Sequence, residues 1–519
     1  MKNKIDKLSI RGWVMPVLFL LIVCSFAIGS SPIYRTNPWV DSNAMLTMGK
    51  AMLNGNIPFK DIIDQRGPVL YAIFALGALI RKNSFSGVFL MQVVNVLAIY
   101  VLTWKMANNF KFKLIDSKWI ALMGPMVLFS TNAFSFSGSP EEFAFTSILY
   151  LLLVINRVKQ NVENITLKEF FLLGINLSLV FWNKFSMVGA FVGFFIWVAG
   201  LLIYKKQFMK LAKVVLISLL GFMTVTILVF IYFAINNAWG DLIQIYFVQN
   251  LTSYGKSNQT LLMKLWSLLF LLGQEISEHV VVAGLIVAGW IKAFYNKKSV
   301  ILEIVLFLST ILFVALQHWI NEYYNLVWIS FLIVSLLRLT NIKLSNSEDI
   351  KKIKLPIQIL VVMSLILLPF VNNKDLSKLI IRGEDSSIMH YQYNAQPQFA
   401  QIMRSKEKHP KLLMINDLDE GFYLSADTLP TTKYWQKLNM TYEQLPRMYN
   451  SFNQDLKNKK VDFVIVRIND QIATDMEGIH NQIPAFVDGH LIYQLFKNYR
   501  IEAVSRNNWN DNYVLMYKK

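Results

Sequence analysis

Acidic side chains recur in short polar segments of this sequence that adjoin long apolar runs. They are Asp41, Asp61, Asp64, Glu141, Glu142 and Glu322. Carboxylates can take a proton from a reacting group, and their oxygens bind hard divalent cations. Glu141 and Glu142 are adjacent in the tight loop SFSGSPEEF, where two desolvated charges are costly and usually have a use. These acids are candidates for a functional site, and ordinary solvated loop residues are the alternative.

Cationic and titratable side chains lie in segments of the same kind. Arg66 closes the run of charges in FKDIIDQRGP, and Lys184 lies in the hairpin FWNKFSM. Arg and Lys bind phosphate, so these two side chains could hold an anionic head group. His318 and Tyr323 lie in the stretch QHWINEYYN. The alternative for Lys184 is snorkelling to a membrane surface, and for His318 it is an interfacial hydrogen bond.

The composition indicates that these segments connect membrane helices. Of 519 residues, 54% are hydrophobic and only 16% are charged, whereas soluble domains have about 25% charged residues. Apolar runs recur from Trp13 to Val371, and about 20 such residues cross a bilayer. We therefore predict a polytopic α-helical membrane domain over 1–371. The single cysteine, Cys24, excludes an intrachain disulfide and a cysteine metal site.

We predict about eleven membrane spans, and the distribution of charge orients them. The predicted spans are 13–30, 86–104, 119–136, 143–156, 169–183, 187–204, 214–236, 279–291, 299–316, 325–337 and 355–371. Lys and Arg concentrate in alternate connecting segments, beginning with 1–12, which is the positive-inside pattern. The N-terminus is therefore predicted to be cytoplasmic. All the candidate residues then fall on the outer side of a cell membrane.

The first outer segment, 31–85, is predicted to contain two juxtamembrane helices. Apolar residues at helical spacing predict an amphipathic helix over 41–53. The run 68–80 is short for a span, and a crossing there would break the alternation of charge. We therefore predict that it lies in the outer interface without crossing, with Pro68 in its first turn.

The polar remainder, 372–519, is predicted to be an extracytoplasmic α/β or α+β domain. The runs KLLMIND, VDFVIVRI and NYVLMYK are typical of strands. The net charge of +18 could suggest a nucleic-acid partner, but its location in loops between spans argues against one. No P-loop, dinucleotide glycine pattern, HExxH or GxSxG motif occurs.

Three stretches together resemble membrane glycosyltransferases of the GT-C fold. They are WVDSNAMLTMGKAMLNGNIPFKDIIDQRGPVLY, SGSPEEFAF and FWNKFSMVGA. The resemblance is to the protein O-mannosyltransferase and aminoarabinose-transferase group of Gram-positive type, and it covers about residues 12–340. The C-terminal stretch GFYLSADTLPTTKYW is similar to the outer domains of such enzymes.

The resemblance implies transfer of a sugar from a polyprenyl-phosphate donor to an acceptor hydroxyl on a surface glycan, such as a wall polysaccharide or teichoic acid. It makes Asp41 the catalytic base, and it places the donor phosphate near Lys184 and Arg66. At the position of Arg66, before Gly-Pro, the family often has Lys. A single displacement would invert the anomeric centre. The other candidates for contact with substrate, acceptor or metal are Asp61, Asp64, Glu141, Glu142, His318, Glu322 and Tyr323. A divalent cation, Mg²⁺ or Mn²⁺, held by Glu141 or Glu142 is left open.

Other interpretations stay open. A lipid-linked-sugar flippase or transporter would carry ionisable residues near the bilayer midplane, whereas here the acids gather at one face. A polysaccharide polymerase or ligase would share the topology and the lipid carrier, and the sequence does not separate it from a glycosyltransferase. For Asp41 the alternative role is capping of the helix over 41–53.

Overall fold

The computed structural model describes residues 2–34, 37, 39–110, 112, 115–135, 137–253, 260–317, 321–341, 347–371, 391–505 and 512–519. The chain divides into two compact units. Unit 1 consists of Met1–Ser31, Met91–Leu228 and Gln259–Leu376, and unit 2 consists of Pro32–Leu90, Val229–Asn258 and Ser377–Lys519. Unit 2 thus groups part of the predicted membrane domain with the C-terminal segment. The predicted boundary at 371 stays a prediction.

Helices make up most of the described chain. The first eighteen are α1 Lys2–Ala27, α2 Val40–Leu53, α3 Pro68–Ile80, α4 Ser86–Phe110, α5 Ser117–Ile120, α6 Met123–Phe129, α7 Pro140–Arg157, α8 Leu167–Asn183, α9 Gly189–Tyr204, α10 Phe208–Ile235, α11 Trp239–Leu242, α12 Asn250–Ser253, α13 Leu261–Glu278, α14 Val280–Tyr295, α15 Ile301–Ala315, α16 Leu326–Ile329, α17 Phe331–Thr340 and α18 Ser347–Val371. The C-terminal elements are α19 Tyr391–Lys406, β1 Leu412–Met414, α20 Phe422–Ala426, α21 Pro446–Lys457, β2 Phe463–Ile468, α22 Met476–Phe486, α23 Gly489–Asn498, β3 Tyr499–Ser505 and β4 Asn512–Lys518.

Each predicted span overlaps a helix, while the number of crossings stays a prediction. Among the described residues, α4 and α10 are each long and apolar enough to cross a membrane. Two bent pairs reach that length and apolarity together: Leu262–Glu278 with Val280–Tyr295, bent by 87°, and Glu322–Ile329 with Phe331–Thr340, bent by 51°. Other apolar helices, among them α3, are shorter.

Helix α13 was not predicted, because 237–278 was assigned to an outer segment. Lys264 lies within its apolar residues and Glu275 and Glu278 follow them, so the uncharged apolar stretch 265–272 is short for a span. In the structure, Leu262, Leu269 and other large apolar side chains of this helix are exposed. Such a surface is expected of a helix that contacts lipid. The C-terminal half of the predicted outer segment is therefore an apolar helix.

In unit 1, α8 and α10 approach closely at two glycines. A Cβ atom on Gly174 would lie 2.1 Å from the carbonyl oxygen of Ser218, and one on Gly221 would lie 2.0 Å from that of Phe171. Small residues allow the backbones of packed membrane helices to approach in this way. The two glycines set the separation of the helices.

In unit 2, α2 packs against α3 through Gly49. A Cβ atom at this position would lie 2.6 Å from the backbone nitrogen of Ala75 and from the carbonyl carbon of Phe74. The predicted helices over 41–53 and 68–80 are both present, as Val40–Leu53 and Pro68–Ile80. Pro68 occupies the first turn of α3, as predicted. The glycine contact fixes the position of α2, on which Asp41 lies.

We expect Gly49→Ala to lower the thermal midpoint of the detergent-solubilised protein, because the added methyl group meets backbone atoms that cannot rotate away. The matched control is Gly273→Ala in α13, where a Cβ atom meets nothing within 4 Å. In an open helix Ala is favoured over Gly by about 1 kcal/mol, so the control should be neutral or stabilising. Equal effects of the two substitutions would contradict close packing at Gly49.

The C-terminal part of unit 2 contains a mixed four-stranded sheet in the order β1-β2-β4-β3. Strand β1 pairs with β2 in parallel, and β4 pairs with both β2 and β3 antiparallel. The three predicted strand runs correspond to β1, β2 and β4, whereas β3 was not predicted. The side chains of β2 are buried on both faces except at Arg467, so the sheet forms the core of an α+β fold.

Candidate active site

Asp41 lies in the first turn of α2, and it does not cap the helix. The N-cap residue is Trp39, and no side-chain capping bond occurs there. Instead Oδ1 of Asp41 lies 2.6 Å from Nη2 of Arg66. A carboxylate in the first helical turn is still favoured by the helix dipole. Asp41 is therefore not the residue that caps the helix, and its carboxylate faces the Arg66 guanidinium.

Arg66 lies between two carboxylates. Its Nη1 donates to Asp64 at 2.9 Å from Oδ1 and 2.7 Å from Oδ2, while Nη2 pairs with Asp41. The side chain of Arg66 is 9% exposed and that of Asp64 is fully buried. Burial by itself lowers the pKa of Arg66, but the charges of Asp41 and Asp64 outweigh it and hold the pKa well above its usual range. Arg66 is therefore a permanent cation shared by two acids.

The loop between α2 and α3 holds this arrangement through its backbone. The N–H groups of Gln65 and Arg66 donate to Oδ1 of Asp64, at 2.5 and 3.2 Å. The N–H of Arg66 also donates to the phenolic oxygen of Tyr71, a fully buried residue of α3, at 2.9 Å. Three hydrogen bonds thus position the guanidinium before any substrate is bound.

Asp61 is not part of this cluster. Its side chain is exposed, and Oδ2 accepts the backbone N–H of Ile57 at 2.7 Å. This bond closes the turn that follows Pro58, since the N–H of Asp61 also donates to the carbonyl of Ile57. The structure gives Asp61 a role in the loop and gives Asp64 a place in the site.

In unit 1, Lys184 pairs with Glu141. The distance from Nζ to Oε1 is 2.6 Å, and Nζ also lies 3.6 Å from the centre of the Tyr324 ring and 5.8 Å from that of Tyr323. Burial opposes the charged form of Lys184, and Glu141 outweighs it, so the pKa is raised. The side chain of Asn183 donates to the carbonyl of Pro140 at 2.7 Å. These contacts join the start of α7 to the end of α8.

Glu142 has different partners from its neighbour Glu141. Its Oε2 accepts the backbone N–H of Gly138 at 2.6 Å and the side-chain amide of Gln92 at 2.9 Å. Glu322 opens a short 3-10 helix that also contains Tyr323. His318, the remaining candidate, lies outside the described residues.

The described residues contain no group of three or more His, Cys, Asp or Glu side chains that could hold a metal ion. Glu141 is engaged with an ammonium group, and Glu142 with two N–H donors. The expectation of Mg²⁺ or Mn²⁺ at these two acids stays untested.

Comparison with known proteins identifies the fold. No protein-family model and no curated protein matches the sequence. Among solved structures, ArnT from Cupriavidus metallidurans in the apo state matches with a TM-score of 0.61 and 11% identity, over 98% of this chain and 98% of that one. The same protein bound to undecaprenyl phosphate matches with a TM-score of 0.57 and 11% identity, over 97% and 98% of the two chains. The chain shares the fold of ArnT.

The likeness to ArnT confirms the predicted fold class in its coarser form, a polytopic helical membrane protein with a small C-terminal sheet. It also agrees with the aminoarabinose-transferase part of the predicted resemblance. The O-mannosyltransferase and Gram-positive parts of that resemblance stay predictions.

Two C-terminal residues that the sequence analysis did not single out contact the α2–α3 region of this ArnT-like fold. Gln436 donates from Nε2 to Oδ2 of Asp64 at 3.1 Å, across 372 residues of sequence. Asp419 accepts the hydroxyl of Thr47, on α2, at 2.8 Å. Gln436, Asp419 and Thr47 are all fully buried. The sequence offered only a weak signal, since the run GFYLSADTLPTTKYW begins just after Asp419 and ends just before Gln436.

Burial raises the pKa of Asp419 to about 6, despite hydrogen bonds from Thr47 and three backbone N–H groups. The folded state therefore holds a proton that the unfolded chain releases between about pH 4 and pH 6. We expect wild type to lose stability relative to Asp419→Asn as the pH rises through this window, because Asn does not titrate. Thermal midpoints of both proteins at pH 4.5 and pH 7.5 test the sign, and a constant difference would contradict it.

Proposed function

We propose that this chain is a membrane glycosyltransferase. It would move a sugar from a polyprenyl-phosphate carrier to a hydroxyl group of a surface glycan, such as a wall polysaccharide or teichoic acid. The observation that carries the proposal is the ion pair of Asp41 with the buried Arg66 on an ArnT-like fold. The solved ArnT bound to undecaprenyl phosphate supports a lipid phosphate as the donor's leaving group.

Asp41 is the proposed general base. Arg66 engages Oδ1 of this carboxylate, so we assign Oδ2 to the acceptor hydroxyl. The acceptor oxygen attacks the anomeric carbon as Asp41 takes its proton, and the bond between that carbon and the phosphate oxygen breaks. The products are the glycosylated acceptor with an inverted centre and the free polyprenyl phosphate. Positioned base catalysis contributes about 10²–10⁴ in rate.

Arg66 is the proposed site of the donor phosphate. Two carboxylates and one guanidinium leave the cluster with a net negative charge, which by itself repels a phosphate. We therefore propose that the phosphate shares Arg66 with both acids, through guanidinium N–H groups that Asp41 and Asp64 leave unused, and that a second cation contributes. Asp41 thus stays positioned by Arg66 while its Oδ2 meets the acceptor, and the guanidinium stabilises the charge that develops on the leaving phosphate.

Lys184 is the second proposed phosphate ligand, and Glu141, Glu142, Glu322, Tyr323 and His318 stay candidates for contacts with the donor or acceptor. The rings around Lys184 stabilise its ammonium group by cation–π interaction. The proposed location is the cell membrane, with a cytoplasmic N-terminus and an extracytoplasmic C-terminal domain.

Reconstitution tests this function. The purified protein in liposomes is given a labelled polyprenyl-phosphate sugar and a surface-glycan fraction, and both labelled glycan and released polyprenyl phosphate are measured. We expect the two products in equal amounts. Movement of the labelled lipid between leaflets without release of polyprenyl phosphate would instead indicate a flippase. Mass spectrometry of surface glycans from cells with and without the protein would identify the sugar and the acceptor.

A further inference from the structure

We propose that Gln436 and Asp419 of the C-terminal segment are positioning residues for the catalytic carboxylate of Asp41. They close a ring of hydrogen bonds that leaves α2 at Asp41 and returns to the same helix at Thr47. This inference rests on the proposed function, because it assumes that Asp41 is the base.

The first half of the ring runs from α2 to the C-terminal segment. Asp41 pairs with Arg66 at 2.6 Å, and Arg66 pairs with Asp64 at 2.7 Å. Oδ2 of Asp64 then accepts the side-chain amide of Gln436 at 3.1 Å. Every member is buried or nearly so, with Asp41 the most exposed at 12% of its side chain. The Asp41 and Arg66 end of this chain of contacts is therefore the part open to a substrate.

The second half returns to α2. The carbonyl oxygen of the Gln436 side chain accepts the backbone N–H of Asp419 at 2.7 Å. Oδ2 of Asp419 accepts the hydroxyl of Thr47 at 2.8 Å. Thr47 lies about 9 Å along the helix axis from Asp41, at 1.5 Å per residue. One series of side-chain contacts therefore reaches α2 at Asp41 and again at Thr47.

The amide of Gln436 fits this ring in one orientation only. Its nitrogen faces a carboxylate, which accepts, and its oxygen faces a backbone N–H, which donates. Glu at this position would place a second carboxylate against Asp64, and an apolar residue would remove the amide donor that Gln436 supplies to Oδ2 of Asp64. A neutral side-chain amide, which donates to Asp64 and accepts from Asp419, therefore suits this position.

Asp419 is itself held rigidly. Its Oδ1 accepts the backbone N–H groups of Gly421 and Phe422, at 2.9 and 3.0 Å, which leaves Oδ2 for Thr47. Burial raises its pKa to about 6, so near neutral pH the ionised carboxylate accepts all of these bonds. The turn that begins α20 thus serves as a fixed support for α2.

Two further contacts attach the same C-terminal segment to the α2–α3 region. The N–H of Ile63 donates to the carbonyl of Lys433 at 2.8 Å. Nζ of Lys50, near the end of α2, lies 2.6 Å from Asp427 and 2.7 Å from Asn83. These contacts hold the backbone, whereas the ring through Gln436 and Asp419 reaches the catalytic carboxylate. A displacement of about 1 Å at a reacting group can cost 10²-fold in rate.

The experiment measures steady-state kinetics of sugar transfer per folded molecule, with the polyprenyl-phosphate sugar as donor. We expect Thr47→Val and Gln436→Leu each to lower kcat about tenfold or more, with KM for the donor changed less than twofold. Thr47→Ser keeps the hydroxyl and should restore kcat. Thr428→Val is the matched control, because it removes a hydroxyl that bonds the carbonyl of Pro410 at 2.6 Å, outside the ring. It should lower stability without changing kcat.

The outcomes separate the two proposals. If wild type is active and both ring variants turn over at the wild-type kcat, the positioning role is overturned while the function stands. The same holds if kcat falls equally in Thr47→Val, Thr47→Ser and Thr428→Val, because a general loss of stability would then explain the result. If wild type itself releases no polyprenyl phosphate, the proposed function is overturned, and the positioning role with it.

Discussion

Asp41→Asn should lower the rate of sugar transfer by about 10²–10⁴-fold while the protein remains folded. The amide has the shape of the carboxylate, but it cannot accept the proton of the acceptor hydroxyl. Stability should change little, because Arg66 keeps its two contacts with Asp64. The measurement is transfer from a labelled polyprenyl-phosphate sugar by equal amounts of folded protein, with thermal midpoints as the check on folding.

The control for this substitution is Asp475→Asn. Asp475 precedes α22 as its N-cap residue, is exposed, and makes no side-chain capping bond. The same chemical change there should leave transfer at the wild-type rate. Full activity of Asp41→Asn would contradict the assignment of Asp41 as the base. A loss of activity matched by unfolding would leave Asp41 with a structural role only.

Arg66→Gln should cause the largest loss of stability of any substitution in the site. It leaves the fully buried Asp64 without its cation, and breaking a buried ion pair in this way costs about 3–5 kcal/mol. Transfer should also fall, since the guanidinium no longer faces the donor phosphate. Thermal unfolding of the solubilised protein, followed together with transfer, measures both effects.

Two variants sharpen this prediction. Arg66→Lys keeps the charge but cannot bridge two carboxylates as a planar fork does, so intermediate stability and partial activity are expected. Arg500→Gln removes an arginine whose side chain is 59% exposed and whose nearest carboxylate, on Glu502, lies 3.9 Å away. Exposed pairs of this kind contribute about 0–1 kcal/mol. If Arg66→Gln and Arg500→Gln had the same thermal midpoint, that result would contradict the bridging role of Arg66.

Local pattern in the sequence was sufficient for most of the elements. The apolar run beginning at Pro68 predicts α3 with its first residue, and three of the four strands follow from their short apolar runs. These features depend on neighbours within a few residues, which periodicity captures. Helix α13 and strand β3 were missed, because charged residues interrupt their patterns.

The sequence also marked Asp41 and Arg66 as site residues, but it did not separate adjacent or nearby acids from one another. Asp61 and Asp64 look alike in FKDIIDQRGP, yet one is exposed in a turn and the other is fully buried against Arg66. Glu141 and Glu142 are neighbours, yet about 100° of helical rotation sends one to Lys184 and the other to Gln92. Orientation about a helix axis or within a turn depends on what packs against it.

By itself the sequence predicted a polytopic helical membrane protein with strands near its C-terminus, and it placed acids and cations in the connecting segments. Only the tertiary structure decided that Arg66 is shared by Asp41 and Asp64, and that Gln436 and Asp419 complete the ring. The physical reason is distance along the chain. The hydrogen bonds from Gln436 to Asp64 and from Thr47 to Asp419 each join residues 372 positions apart, and no local periodicity or composition records which distant polar groups will meet in a buried site.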